Sequence, residues 1–370
     1  MRFYRSTWWI VAWLSASMAV ALDDAMRLQP KWARMDQDGD GNVALTEMHP
    51  ILAQAVSVHD ANGDGLISLE EYVAFDLDPG GGGSLPVPDH IEWVPDLPYA
   101  GTDDPRQSLD IYRPRNRQSH QPLPVIAYIH GGGWSVGSKV GARAQLFPLL
   151  ATGEFAAVSI GYRLSWQATW PAQLDDIKAA LRWVRAQADV YGFDPDRICA
   201  LGPSAGGHLV AMLGTTNNDP AFAGTLGSHL TQSDAVQCVA DYFGPSDLRG
   251  AAANDPMGQP SSVTQLLGAP AAEVPALAAR ASPLVQVDAA DVPFLIVHGT
   301  ADPLVDYQDS VRLAAALQQA GVPVWFQTVN GAGHGQFGDA RADVDARLLQ
   351  FFKMQLLGAP GPLDVTALAH

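Results

Sequence analysis

Ser204 stands in Gly202-Pro203-Ser204-Ala205-Gly206, directly after the apolar run Ile198-Cys199-Ala200-Leu201. A hydroxyl flanked by glycines can sit on a strand-to-helix turn too tight for side chains on either side, exposed to a substrate. Serine is a weak nucleophile until a base takes its proton, and the negative charge it creates needs donors. Candidates for each role are spread along the chain. His130-Gly131-Gly132-Gly133-Trp134 ends an earlier apolar run, where glycines let backbone amides approach a substrate oxygen. The expected oxyanion donors are Gly132 and Gly133 with Ala205 after the serine; Gly131 is the alternative, and His130 is expected to brace the loop. Asp302, in Val297-His298-Gly299-Thr300-Ala301-Asp302, follows a strand-like run, and His334 lies in the loop Gly331-Ala332-Gly333-His334-Gly335 after the last strand. In that scheme His334 takes the serine proton and returns it to the leaving group, while Asp302 fixes the imidazole tautomer.

Other residues compete for these roles. Asp306 is the second choice for the acid, placed in the first turn of the following helix, and Asp247 reads as a cap or turn residue. His298 falls inside a strand and reads as a satisfied buried histidine. His208, on the helix opened by the serine turn, reads as structural, and His229 has no acid at a useful spacing.

These groups need a frame. Buried strand patterns at 123–130, 155–164, 197–202, 235–244, 292–299 and 323–330 alternate with helical ones. Leu174, Ile177, Leu181 and Val184 keep helical spacing, and that helix is expected to end at Gly192. Such alternation predicts an α/β domain over 91–358, a doubly wound and mostly parallel sheet covered on both faces. The tail 359–370 carries no functional signal.

A second kind of chemistry lies upstream. Asp36-Gln37-Asp38-Gly39-Asp40-Gly41-Asn42-Val43-Ala44-Leu45-Thr46-Glu47 and the stretch 60–71 each fit a twelve-residue loop for a hard divalent cation. Side-chain oxygens fall on Asp36, Asp38, Asp40 and Glu47 in the first loop, and on Asp60, Asn62, Asp64 and Glu71 in the second. Backbone carbonyls of Asn42 and Leu66 complete each set, and Gly41 and Gly65 make the sharp turns. Val43 and Ile67, at matching positions, are apolar and able to pair between the loops. The two repeats resemble EF-hands, which implies a small all-α calcium-binding pair over 22–78 with two structural calcium sites. Only twelve residues separate the loops, so the pair is similar to compact bacterial or dockerin-like arrangements rather than to a sensor lobe. Asp78-Pro79 and the four glycines after it begin a linker over 79–90.

The net charge is −17, and residues 22–78 hold twelve acids against three bases. That balance disfavours a nucleic-acid partner, which needs a basic surface. Arg2 and Arg5 precede an apolar run that ends in Ala19-Val20-Ala21, the layout of a secretory signal peptide over 1–21. The run is shorter than the ~20 residues a spanning helix needs, so the expectation is a secreted or periplasmic protein with no stable membrane insertion. Cys199 and Cys238 lie in strand interiors and are expected to be buried free thiols, although export permits a disulfide.

Taken in order, HGGGW, GPSAGGHL, YGFDPDRI, HGTADPLV and GAGHG resemble α/β-hydrolase esterases of the hormone-sensitive-lipase and acetyl-esterase group, including carbohydrate-ester hydrolases of the BD-FAE type. The resemblance covers about 91–356. It implies a serine carboxylic-ester hydrolase working through an acyl-enzyme, with no cofactor for catalysis, on a small-molecule or carbohydrate acyl ester. Relatives often carry YRLAPE where this chain has YRLSWQATWPA, so Trp166 and Trp170 are candidates to wall the substrate entrance. Two alternatives stay open: an aminopeptidase or arylformamidase on the same fold, and an inactive calcium-dependent adhesion or scaffold protein.

Overall fold

The computed structural model describes residues 42–44, 63–69, 71–72, 85–115, 121–255, 258 and 260–370. The chain divides into two compact units, Met1–Leu85 and Pro86–His370. In the first, β1 (Val43–Ala44) and β2 (Leu66–Ile67) pair antiparallel with Val43 opposite Ile67. Both of those side chains are fully buried. Beside them the Leu66 amide donates to Asp64 Oδ1 at 2.8 Å, and the Ser68 amide and hydroxyl donate to Glu71 Oε2. Asp36, Asp38, Asp40, Glu47, Asp60 and Asn62, together with the expected leader over 1–21 and the glycine run, lie outside the described residues.

The second unit is built on a nine-stranded sheet. Its strands in chain order are β3 (Ile91–Pro98), β4 (Ser108–Pro114), β5 (Leu123–Ile129), β6 (Ala156–Ile160), β7 (Phe193–Pro203), β8 (Cys238–Tyr242), β9 (Phe294–Gly299), β10 (Val324–Asn330) and β11 (Leu368–Ala369). Across the sheet they run β11-β10-β9-β8-β7-β5-β6-β4-β3. All neighbours from β11 to β6 are parallel, whereas β6, β4 and β3 pair antiparallel. Parallel strands have both faces covered and so carry apolar residues without alternation, which is why β5, β6, β8 and β9 were legible as buried runs. Two elements were not expected. The antiparallel edge joins β3, which has mixed burial and little pattern, to a mostly buried β4, and the C-terminal tail adds β11 beside β10.

The helices are α1 (Arg143–Leu150), α2 (Ala172–Ala186), α3 (Ala188–Tyr191), α4 (Ala205–Thr215), α5 (Ser262–Leu267), α6 (Pro275–Arg280), α7 (Pro283–Gln286), α8 (Tyr307–Ala320) and α9 (Arg341–Leu357). One face of the sheet packs against α2, α4 and α8, the other against α1 and α9. On α9, Val344, Leu348, Phe351, Phe352 and Leu356 are buried, each worth about 1.5–3 kcal/mol relative to exposure. The helix expected through 192 breaks at Gln187 into α2 and α3, and Gly192 ends the second in a left-handed conformation. Residues between β8 and β9 form an insert carrying α5, α6 and α7, which sequence patterning did not single out.

The cysteines correct an expectation. Cys199 on β7 and Cys238 on β8 are register partners with Cα atoms 4.7 Å apart, and they form a disulfide. Strand interiors accept a bridge when neighbouring strands align both residues at a separation this close. Among the described residues no helix is long and apolar enough to cross a membrane.

Candidate active site

In a parallel sheet every strand ends on the same edge, and Ser204, Asp302 and His334 follow β7, β9 and β10 in turn. Ser204 sits at φ 55°, ψ −122°, a conformation L-residues rarely adopt and one that costs on the order of 1–3 kcal/mol. Its amide donates to Tyr242 O at 2.8 Å, and α4 starts at the next residue. Glycine at 206 is a steric requirement, because a Cβ there would lie 2.1 Å from Ile129 O. The turn is therefore held by β5 and β8 on either side of β7.

The glycine loop abuts this turn. A Cβ on Gly131 would lie 2.8 Å from Pro203 O and 3.4 Å from Ser204 Cβ. Carbonyls in the loop are committed: Gly131 O accepts from His130 Nδ1 at 2.7 Å, and Gly132 O accepts from the Ser135 and Val136 amides at 3.0 Å. A trans peptide points its N–H opposite its C=O. The amides of Gly132 and Gly133 are thereby turned away from the loop's own bonds. With Ala205 at the start of α4, these three are the donors expected from the sequence, and they have no acceptor among the described residues. His130 is fully buried, stacked on Tyr162 with ring centroids 4.1 Å apart, and burial pushes its pKa down to about 3. Neutral at working pH, it braces the loop from beneath; Tyr162 donates to its carbonyl at 2.9 Å.

Asp302 is anchored more heavily than the spacing suggested. Oδ1 accepts from the Leu304 and Val305 amides at 2.8 and 3.0 Å. Oδ2 accepts from His334 Nδ1 at 2.7 Å and from His298 Nε2 at 3.1 Å. Burial by itself would raise this carboxyl, but the hydrogen bonds from His298 and His334 outweigh it and hold Asp302 well below the usual carboxylate range. A carboxylate accepting at Nδ1 fixes the His334 tautomer and leaves Nε2 as the lone-pair base. The imidazole is 15% exposed and its ring centroid lies 4.5 Å from that of Phe243. Ser204 and His334 both border the Tyr242–Phe243 dipeptide, one bonded to Tyr242 and the other packed on Phe243.

The competing residues resolve differently. Asp306 caps α8 through the Gln308 amide, Asp247 pairs with Arg249, and His208 bonds Ala281 O at 2.7 Å in a fully buried position. His298 is satisfied, as expected, but its partner is the acid itself; Ser310 Oγ holds its other nitrogen at 2.8 Å. That link spans His298 to Asp302, four residues, and the HGTAD spacing was its available signal. Ser262 was missed as well. It is exposed on α5, and a Cβ on Gly133 would lie 2.9 Å from its hydroxyl. Nothing local in the sequence links positions 133 and 262. Trp166 is 40% exposed, whereas Trp170 is buried against His208 and lies behind the surface.

A cavity of about 700 Å³ lined by His90, Pro114, Pro122, Arg197 and Leu357 sits at the opposite ends of the strands, away from these groups. Ligands in open α/β sheets bind at the carboxyl ends, where Ser204, Asp302 and His334 lie.

Known proteins agree with the geometry. The BD-FAE family profile matches residues 109–317, more than half of the chain. Esterase LipQ of Mycobacterium tuberculosis (strain ATCC 25618 / H37Rv) is 30% identical over 374 aligned residues, spanning 95% of this chain and 84% of that protein. Ethyl acetate hydrolase of Pseudomonas putida is 30% identical over 257 residues, 66% of this chain and 76% of its own length. A solved structure described as a truncated form of carbohydrate esterase from gut microbiota shares 34% identity at a TM-score of 0.67, covering 74% of this chain and 99% of that one.

Proposed function

This chain belongs to the BD-FAE family and is a carboxylic-ester hydrolase, and on that premise we propose that it is an exported enzyme removing short acyl groups, chiefly acetyl, from carbohydrate. Ser204 Oγ attacks the ester carbonyl while His334 Nε2 takes its proton. The amides of Gly132, Gly133 and Ala205 bind the oxyanion, and Asp302 stabilises the imidazolium. His334 then protonates the departing alcohol, leaving an acyl-enzyme. Water attacks that ester with His334 again as base, and the carboxylic acid departs as Ser204 recovers its proton.

The observation carrying this reading is the 2.7 Å bond from His334 Nδ1 to buried Asp302, on the same sheet edge as the strained Ser204. Likeness to a carbohydrate esterase supports the alcohol half, and likeness to an ethyl acetate hydrolase supports a short acyl half. Export is supported by the leader-like 1–21 and by the Cys199–Cys238 disulfide, a bond typical of oxidising compartments.

Calcium belongs to the first unit in this proposal. Asp36, Asp38, Asp40, Asn42 and Glu47 would hold one ion, and Asp60, Asn62, Asp64, Leu66 and Glu71 the other. The Val43–Ile67 pairing, which ties two such loops back to back, supports the fit. Its role is structural: EDTA is expected to lower the thermal midpoint of residues 22–78 while most ester hydrolysis persists. Activity lost to EDTA and restored by calcium alone contradicts that.

The deciding experiment follows acetate release from p-nitrophenyl acetate and from acetylated xylo-oligosaccharides, for wild type and Ser204→Ala. Ser204→Ala is expected to lower kcat by at least about 10⁴-fold on both. Turnover surviving that substitution removes the mechanism. Aryl-ester turnover with no acetate released from the oligosaccharides removes the carbohydrate assignment.

A further inference from the structure

We propose that Phe243 is a positioning residue for His334, whose ring fixes the plane of the imidazole and whose π face stabilises the imidazolium formed when Ser204 gives up its proton. The inference rests on His334 acting as the base. His334→Ala that retains turnover removes both, whereas the experiment below fails without disturbing that reading.

Three observations carry it. First, Phe243 occupies φ +45°. A bulky aromatic in the left-handed region is an outlier that persists only where its surroundings impose it, and glycine would adopt the conformation without cost. Here the turn is imposed on both sides: the Phe243 amide donates to Val297 O at 2.8 Å, and the Gly244 amide donates to Asp241 Oδ1 at 2.9 Å. Second, the strained backbone delivers the ring onto His334, with centroids 4.5 Å apart and planes at 59°. Phe337 and Tyr242 pack against the same ring at 6.0 and 6.2 Å, so it is itself held in place. Third, the loop carrying His334 is fitted to the ring. Gly335 lies at φ +80°, and a Cβ there would come 3.0 Å from Phe243 Cζ.

Asp302 bonds a single atom of the imidazole, Nδ1, and one hydrogen bond leaves the ring free to swing about that point. The Phe243 ring, packed on the imidazole with centroids 4.5 Å apart, supplies a second constraint on orientation. An aromatic face within ~6 Å of a cation also attracts it, and in the catalytic cycle His334 becomes a cation when it takes the proton from Ser204. The contact therefore strengthens as the transition state forms, which is the condition for raising kcat rather than lowering KM.

Around His334 the titratable groups are Asp302 at Nδ1 and, on the same Asp302 oxygen, His298 from β9. From β8 comes Tyr242, which is reached by the charges of Asp345 and Arg341 on α9. Residues 333–337 add no titratable group besides His334. None of these is altered by fluorinating the ring at 243, so that series isolates its π face.

The test replaces Phe243 with mono-, di- and trifluorophenylalanine, which keep the shape and progressively drain the face of electron density. Turnover of p-nitrophenyl acetate is measured against pH, with thermal midpoints as a folding control. A face that stabilises the imidazolium favours the protonated base, so weakening the face favours the neutral one. With each fluorine kcat is expected to fall, by roughly two- to tenfold for the trifluoro ring, with KM unchanged. The acid limb of kcat/KM moves to lower pH over the same series. Phe243→Leu, which removes the face entirely, is expected to shift that limb further in the same direction. A flat fluorinated series, or an acid limb that moves to higher pH, overturns the proposal.

Discussion

Two aspartates at the carboxyl edge of the sheet, Asp302 after β9 and the more deeply buried Asp241 in β8, have opposite chemistry. Both side chains are fully removed from solvent. Asp302 accepts four hydrogen bonds, two of them from histidines, and is held as an anion. Asp241 accepts one, from the Gly244 amide, and its Oδ2 has no partner among the described residues. Burial, reinforced by the charge of Asp309, raises it to about 7 against the single opposing bond. Desolvation pushes both carboxyls up, further at the deeper Asp241, and at Asp302 the hydrogen bonds from His298 and His334 reverse it. The orienting acid of a catalytic relay has to be the well-donated one.

That contrast can be broken by substitution. The largest expected effect on turnover is that of Asp302→Asn, which presents the wrong tautomer to His334 and should lower kcat on p-nitrophenyl acetate by about 10⁴-fold. A loss below about tenfold would mean that His334 is oriented by something else. His298→Ala comes next. Removing one donor from a charged acceptor is worth about 1.5–3 kcal/mol, so kcat should fall roughly 10- to 100-fold with KM little changed. Steady-state kinetics on the folded variant would show this, and unchanged turnover would reduce His298 to a packing residue. Asp241→Asn should leave turnover near wild type.

Their signatures in stability oppose each other. Asp302 has a depressed folded pKa, so its contribution is present above its unfolded pKa near ~3.9 and is lost as pH falls through the folded value. Asp241 has a raised one. Its contribution is full below ~3.9 and is lost as pH rises from there through about 7. Asp241→Asn should therefore melt higher than wild type at pH 8.5, with the gain shrinking toward pH 5. Calorimetry across that range decides it, and a pH-independent difference would show that Asp241 is not the group responsible.

Much of the catalytic edge was legible because a parallel sheet converts chain order into place. Once β7, β9 and β10 are recognised as buried runs, the loops after them share one edge, and Ser204, Asp302 and His334 are the reactive residues in those loops. The triple glycine loop was legible for a similar reason, since only glycine amides can crowd a neighbouring turn. What escaped reading depended on neighbours distant in the chain. Cys199 and Cys238 pair because β8 lies beside β7 in matching register, and strand order is not written in either run. Phe243 resembles any core aromatic until its φ is known. Ser262 reaches Gly133 only because the insert folds back over the sheet edge. His298 was read as a buried histidine with its bonds satisfied, which is true, but the partner that gives it a role was not visible.

Residue type and local spacing were sufficient for the buried parallel strands and for candidates for a nucleophile, base and acid, because hydrophobic periodicity and turn chemistry act over a few residues. Tertiary structure alone decided which carboxyl is charged, which cysteines bond and which aromatic ring faces the base. Those outcomes depend on donors, register and backbone strain supplied by segments tens of residues away, and no local pattern encodes them.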